Sequence, residues 1–175
     1  MRIKQGKDNK RWYALFTKSR AEKKAESELI AKDVEVYLPL EKRLKQWSDR
    51  KKWIEVPLIR SYIFVRINKK ELEKVFYTPG IVNVVTFEGV PAPIPDKQIQ
   101  VIKDVLSSEE KFEVTSDHFE IGEKVEVTQG GLKGLQGEMI QHLNKYKVLI
   151  RLEVIHQNLL ININPSYIKR MEQKV

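Results

Sequence analysis

Residues 57–67, PLIRSYIFVRI, constrain this chain more than any other stretch. The run has the composition of a buried strand, rich in β-branched and aromatic residues, and after Ser61 it is apolar at both parities. A strand apolar on both faces needs cover on both, so helices are expected to flank it. Its proline suits the first residue of a strand and not the middle. Ile63, Val65 and Ile67 are expected to hold a sheet to its helices. Tyr62 puts a hydroxyl into an apolar run. It is either a core tyrosine with a local hydrogen bond or part of an exposed docking surface.

The flanking sequence supplies the rest of that layer. RWYALFT at 11–17 reads as a strand. Residues 20–32 read as an amphipathic helix with Ala21, Ala25, Leu29 and Ile30 on one stripe. Ser19 is its expected N-cap, Glu22 completes a capping box, and Glu28–Lys32 is a favourable pair. Residues 34–40 look extended, with Pro39 at an edge or bend. Residues 41–53 carry six basic residues against two acidic and two tryptophans, and Ser48-Asp49 marks the turn of a protruding hairpin. A short helix over 69–77 capped by Asn68, a strand at 81–87 and a helix at 95–106 follow. An antiparallel sheet flanked by helices is expected over 11–106, after a flexible basic tail at 1–10.

Residues 107–117, SSEEKFEVTSD, read as a linker. Beyond them EKVEVTQ, GEMIQH, YKVLIRL, LLINI and the segment at 167–171 are spaced as five short strands. They predict a small β-barrel over 118–175. The fold class is therefore α+β.

Charge separates the two regions. Up to Leu106 there are 23 Lys/Arg against 14 Asp/Glu, and from Ser107 onward 9 against 10. The first region is the nucleic-acid candidate. The near-neutral second region suits a protein partner better. With no cysteine in the chain, disulfides and thiolate metal sites are excluded. No apolar run approaches a membrane span and no secretory signal is evident, which points to a cytoplasmic, membrane-independent protein and a monomer. His118, His142 and His156 lack ligand spacing and no nucleophile has a supporting context. Neither an enzyme nor a cofactor is expected.

Residues 130–137, GGLKGLQG, form the sharpest short motif. Gly130 or Gly131 suits a turn with positive φ, while Gly134 and Gly137 suit a bend and close backbone approach. Leu132 and Leu135 would anchor the turn. No GK[ST] follows, so a turn within the barrel is favoured over phosphate binding.

Taken in order, these motifs resemble the NusG family. Phe119, Gly122-Glu123 and Val125, followed by the glycine motif, look like a KOW domain. Trp12-Tyr13-Ala14-Leu15, the 57–67 run, Thr78-Pro79-Gly80-Ile81 with Val84-Val85, and Pro91-Ala92-Pro93-Ile94-Pro95-Asp96 resemble the NusG N-terminal (NGN) domain. Tyr37-Leu38-Pro39 and residues 45–52 look like the specialised UpxY-type antiterminators of Bacteroides-like bacteria, which act on polysaccharide operons.

The resemblance implies a transcription elongation or antitermination factor. Such a factor docks on the clamp helices of the RNA polymerase β′ subunit, bridges toward β, and suppresses pausing or termination. The docking surface would include Phe16, Ile59 and Tyr62. Core and docking stay equally open for Phe16 and Ile59, and the amphipathic ring of Tyr62 favours docking. Ile59-Arg60-Ser61 stands where the family commonly has Phe-Pro-Gly. Lys18, Arg20, Lys23 and Lys24 would face the non-template DNA strand. Trp47, Arg50, Lys51 and Lys52 of the hairpin would reach upstream DNA, by phosphate attraction and stacking. The bland reading is a solvated face with tryptophans covering a sheet edge, favoured for Trp53 and open for Trp47. The KOW domain would recruit a termination factor or a small-subunit ribosomal protein. A KOW-containing RNA-binding or ribosome-associated protein without polymerase contact is the alternative.

Overall fold

The structure is a computed structural model and describes residues 9–171. Residues 1–8 of the expected tail and 172–175 of the expected barrel region lie outside it. Residue 10 of that tail is not loose: the Lys10 ammonium pairs with Glu71 at 2.8 Å. The described chain falls into two compact units, divided between Ile99 and Gln100. That point lies inside a continuous helix, Asp96–Ser107.

The N-terminal unit is built from β1 (Arg11–Thr17), α1 (Glu22–Ala31), β2 (Glu35–Tyr37), β3 (Leu40–Gln46), β4 (Lys51–Pro57), β5 (Tyr62–Ile67), α2 (Leu72–Phe76), β6 (Ile81–Val84), β7 (Thr86–Phe87), β8 (Val90–Pro91) and β9 (Pro93–Ile94), and α3 (Asp96–Ser107) begins in it. The main sheet is antiparallel in the order β2-β5-β1-β6, with β9 also on β1. β5 is central, as its two-faced apolarity demands. One face gathers Leu15, Ile63, Val65 and Ile67 with Leu29 of α1 and Val75 of α2 into a buried cluster. The opposite face buries Trp12, Ala14 and Phe64, and Tyr37 stacks on Phe64 with centroids 6.2 Å apart.

The 57–67 run is not one strand. Pro57 ends β4, and the chain turns through Leu58, Ile59, Arg60 and Ser61 before β5 begins at Tyr62. Leu58 and Ile59 are apolar because they plug into the core, and hydrophobicity alone does not distinguish that from strand. Other local expectations shift too. Ala21, not Ser19, occupies the N-cap of α1, with no side-chain cap. The Lys32 ammonium, instead of pairing along its helix with Glu28, donates to Lys74 O, Tyr77 O and Thr78 Oγ1 at 2.9–3.2 Å, so it closes the C-terminal end of α2, where the helix dipole favours a cation. Asn68 does not cap α2, whose N-cap is Glu71 with no side-chain cap; it closes the turn before the helix, where its Oδ1 accepts from Lys70 N and Glu71 N, and Glu71 Oε2 accepts from Asn68 N.

The C-terminal unit holds β10 (Phe112–Thr115), β11 (Glu123–Val127), β12 (Gln136–His142), β13 (Lys145–Leu152), β14 (Gln157–Ile161) and β15 (Ile168–Arg170) in one antiparallel path, β10-β14-β13-β12-β11-β15. The five expected strands are present, and a sixth comes from the expected linker. β10 is held there by pairing with β14 and by Glu113, whose carboxylate meets the buried Lys147 ammonium. A polar-looking segment thus becomes an edge strand because it supplies the counter-charge that a buried lysine requires. Consecutive burial of Val148, Leu149 and Ile150 shows that both faces of β13 are covered.

Candidate functional site

β1 and β5 pair so that Phe16 lies directly opposite Tyr62, on the same face as Ala14 and Phe64. Their rings meet edge-to-face with centroids 5.5 Å apart. This is the open end of an otherwise buried face: Phe16 is 41% exposed and Tyr62 partly exposed. Ile59 does not join them at the surface. At 3% exposure it is a core residue, because the turn before β5 points it inward. Two of the three expected docking residues are therefore together and accessible, and the third is buried in the core.

The turn itself rests on a residue that sequence reasoning assigned elsewhere. Ser61 has φ +61°, the left-handed region that L-residues occupy at a cost. Its N–H donates to Glu22 Oε1 at 2.8 Å, and its C=O accepts from Thr17 N at 2.9 Å. Glu22 is 5% exposed. It is not half of a capping box. The signal for this contact was faint: Ser61 stands where the resembled motif has glycine, so something had to hold a left-handed serine.

The basic residues separate into two groups. Lys18, Arg20, Lys23 and Lys24 are all exposed, Arg20 at a left-handed φ of +61° in the turn from β1 into α1. Of these, Lys23 faces the β3–β4 hairpin. With Lys42, Lys52, Trp53, Ile54 and Glu55 it lines an open groove of about 850 Å³. Trp53 is 64% exposed, so it does not cover a sheet edge. Trp47 is half exposed at the hairpin tip, with the Lys45 ammonium 5.1 Å from its ring centre. Arg50, Lys51 and Lys52 are exposed as well, and Lys52 alone of the three enters the groove. Lys45 and Lys52 stand directly opposite across the hairpin, a like-charge pair that a bound anion would relieve.

In the C-terminal unit the glycine motif is a turn between β11 and β12. Gly130 and Gly134 have φ of +82° and +86°, whereas Gly131 does not need glycine for its backbone. A Cβ on Gly137 would lie 2.7 Å from Leu149 O. Leu132 and Leu135 are buried, as the turn's anchors. His142 packs edge-on against Phe119. Among the described residues no three His, Asp or Glu side chains are placed to hold a metal, and no helix is long and apolar enough to cross a membrane.

The chain is similar to known proteins. The family model described as "Transcription termination factor nusG" matches residues 10–103. The "Transcription termination/antitermination protein NusG" of Rickettsia felis is 29% identical over 160 residues, covering 82% of this chain and 82% of that protein. Its counterpart in Rickettsia prowazekii is 26% identical over 158 residues, covering 83% and 81%. A solved structure of Thermotoga maritima NusG superposes with a TM-score of 0.55 at 21% identity, over 95% of this chain and 100% of that one, which shows a shared fold. A family model spanning more than half the chain, over the unit that carries the Phe16–Tyr62 edge, makes this protein a member of the NusG family.

Proposed function

We propose that this chain is a transcription elongation and antitermination factor. It docks on RNA polymerase, at the β′ clamp helices and toward β, and suppresses pausing or termination. The observation that carries this reading is the Phe16–Tyr62 ring pair, left open at the end of a buried sheet face. Aromatic rings with one apolar side and one wet edge are the usual anchors of protein interfaces. The named function of the Rickettsia relatives points the same way.

Nucleic acid is the second partner. The groove of Lys23, Lys42, Lys52 and Trp53 combines phosphate-attracting ammonium groups with a stacking surface, which suits a single strand of the transcription bubble or upstream DNA. Lys18, Arg20, Lys24, Trp47, Arg50 and Lys51 extend that basic surface. The C-terminal unit, as a KOW domain, takes a protein partner, a termination factor or a small-subunit ribosomal protein. Its near-neutral charge supports that assignment. The UpxY-like segments at 37–39 and 45–52 extend the proposal to polysaccharide-biosynthesis operons. A monomer working in the cytoplasm fits these roles.

The test is binding of the full chain to purified RNA polymerase core. Phe16→Ala/Tyr62→Ala should weaken binding at least about tenfold at an unchanged melting temperature. Lys42→Glu/Lys52→Glu should weaken binding to single-stranded DNA, reduce its salt dependence, and spare polymerase binding. Normal polymerase binding without the two rings would overturn the docking reading and favour the RNA-binding alternative.

A further inference from the structure

Glu22 is a buried carboxylate with no cation in ion-pair range among the described residues. A carboxylate taken out of water needs compensation. Two features supply it. Glu22 is the first residue of α1, where free N–H groups and the helix dipole favour negative charge. Its Oε1 also accepts the Ser61 N–H at 2.8 Å.

That second contact reaches the candidate docking edge. Ser61 is held from both ends, by Glu22 at its N–H and by Thr17 N at its C=O. Thr17 follows Phe16, and Ser61 precedes Tyr62. The residue pinned between α1 and β1 is therefore the one that sets where both rings of the exposed pair begin. Ser61 is also left-handed at φ +61°, so without its clamp an L-residue there would tend to relax toward negative φ.

We propose that Glu22 is a positioning residue for partner binding. Its carboxylate holds Ser61 left-handed, which keeps Tyr62 in register against Phe16 and leaves Arg60 at the surface beside them. Glu22 does not touch the partner. It sets the geometry of the residues that do. This inference rests on the docking proposed above.

The experiment measures affinity of full-length variants for RNA polymerase core, with melting temperature and amide exchange of β1 and β5 as controls. Glu22→Met keeps the volume and removes the strong acceptor. It should weaken binding about tenfold, equivalent to about 1.4 kcal/mol, with most of the change in dissociation rate. Glu22→Gln still offers an amide oxygen and should stay within about threefold of wild type. Ser61→Gly in the Glu22→Met background should restore affinity, because glycine is left-handed without strain. A merely structural role for Glu22 would not be rescued in this way.

Wild-type affinity of Glu22→Met, or failure of Ser61→Gly to rescue a folded Glu22→Met, overturns the proposal. Should Glu22→Met not fold alone, it is compared in the Ser61→Gly background with Ser61→Gly itself. Equal binding is expected there, and a tenfold gap overturns the proposal. Tyr62→Ala separates the two claims. If it binds normally, docking through this edge is wrong. If it is defective while Glu22→Met is normal, only the positioning role is wrong.

Discussion

Glu22 in the N-terminal unit and Glu138 in the C-terminal unit both fasten a loop by accepting a backbone N–H from far along the chain. Glu22 reaches Ser61, 39 residues away, and Glu138 reaches Gly122, 16 away, at 3.0 Å. Their settings differ. Glu138 carries Arg151, whose Nε and Nη2 donate to its two oxygens at 2.9 Å, and Arg151 Nη2 continues to Phe119 O and Glu120 O. Guanidinium, carboxylate and a closely packed glycine form a closed arrangement. Glu22 has neither a guanidinium nor a glycine at the position it holds. One fastening is over-determined and structural. The other gives one carboxylate hydrogen bond which, with Thr17 N at the serine carbonyl, holds a strained serine next to exposed rings, where a small change in geometry reaches a surface.

The largest effect that would sharpen this contrast is at Gly122. A Cβ there would sit 2.4 Å from Met139 O and 2.9 Å from Ile140 Cγ2, so backbone and core must both move. Gly122→Ala should cost about 3 kcal/mol, the upper end for overpacking, seen as faster amide exchange across β11–β13. Gly131→Ala, whose nearest neighbour would be 3.8 Å away, should change stability by less than about 0.5 kcal/mol. Similar costs at both positions would show that the loop at Gly122 is loosely held and would break the comparison.

The two fastenings were unequally legible. The glycine motif announced its turn through positive φ at Gly130 and close packing at Gly137, whereas Gly134, expected to allow close approach, would carry a Cβ with nothing within 4 Å and owes its glycine to φ +86°. The buried, two-faced character of β5 was legible for a similar reason, since apolarity at both parities requires cover on both faces. Glu22 was not legible. A glutamate early in a helix reads as a capping partner, and its real contact depends on how β5 is brought to α1. The sixth strand of the C-terminal sheet was hidden for the same reason: Phe112–Thr115 looks polar until the buried charge of Lys147 is seen to need Glu113. The groove was half legible. The lysines and tryptophans were evident, but that Lys23 would face Lys42, Lys52 and Trp53 follows only from packing the hairpin near α1.

Acid provides a second, intermediate test. Hydrogen bonds from Arg151 hold the Glu138 carboxyl below its ordinary value of 4.5, against the upward push of burial and with help from the Gly122 N–H. A group whose pKa is lower in the folded state stabilises fully above its unfolded value and loses that contribution as pH falls through the folded one. The C-terminal unit should therefore lose stability as pH drops from about 5 to below the lowered value. In Glu138→Gln that acid dependence should flatten, at the expense of lower stability at neutral pH. Amide exchange in β11–β15 against pH reads both, and an unchanged profile in Glu138→Gln would mean that the Arg151 pair is not what closes the loop.

The smallest expected effect falls on the other fastening, and has the opposite sign. Ser61→Gly removes the cost of an L-residue at φ +61° while keeping the N–H that Glu22 accepts. Relief of about 1–2 kcal/mol of left-handed strain, less the greater flexibility of glycine in the unfolded chain, leaves a gain of about 0.5–1 kcal/mol. The measurement is simple, because Trp12, Trp47 and Trp53 all lie in the N-terminal unit, so tryptophan fluorescence in urea follows that unit alone. A midpoint shifted upward at unchanged slope is the expected result. A loss of stability would mean that the serine side chain itself holds the turn, and the contrast between a strained fastening at Ser61 and a relaxed one at Gly122 would fall.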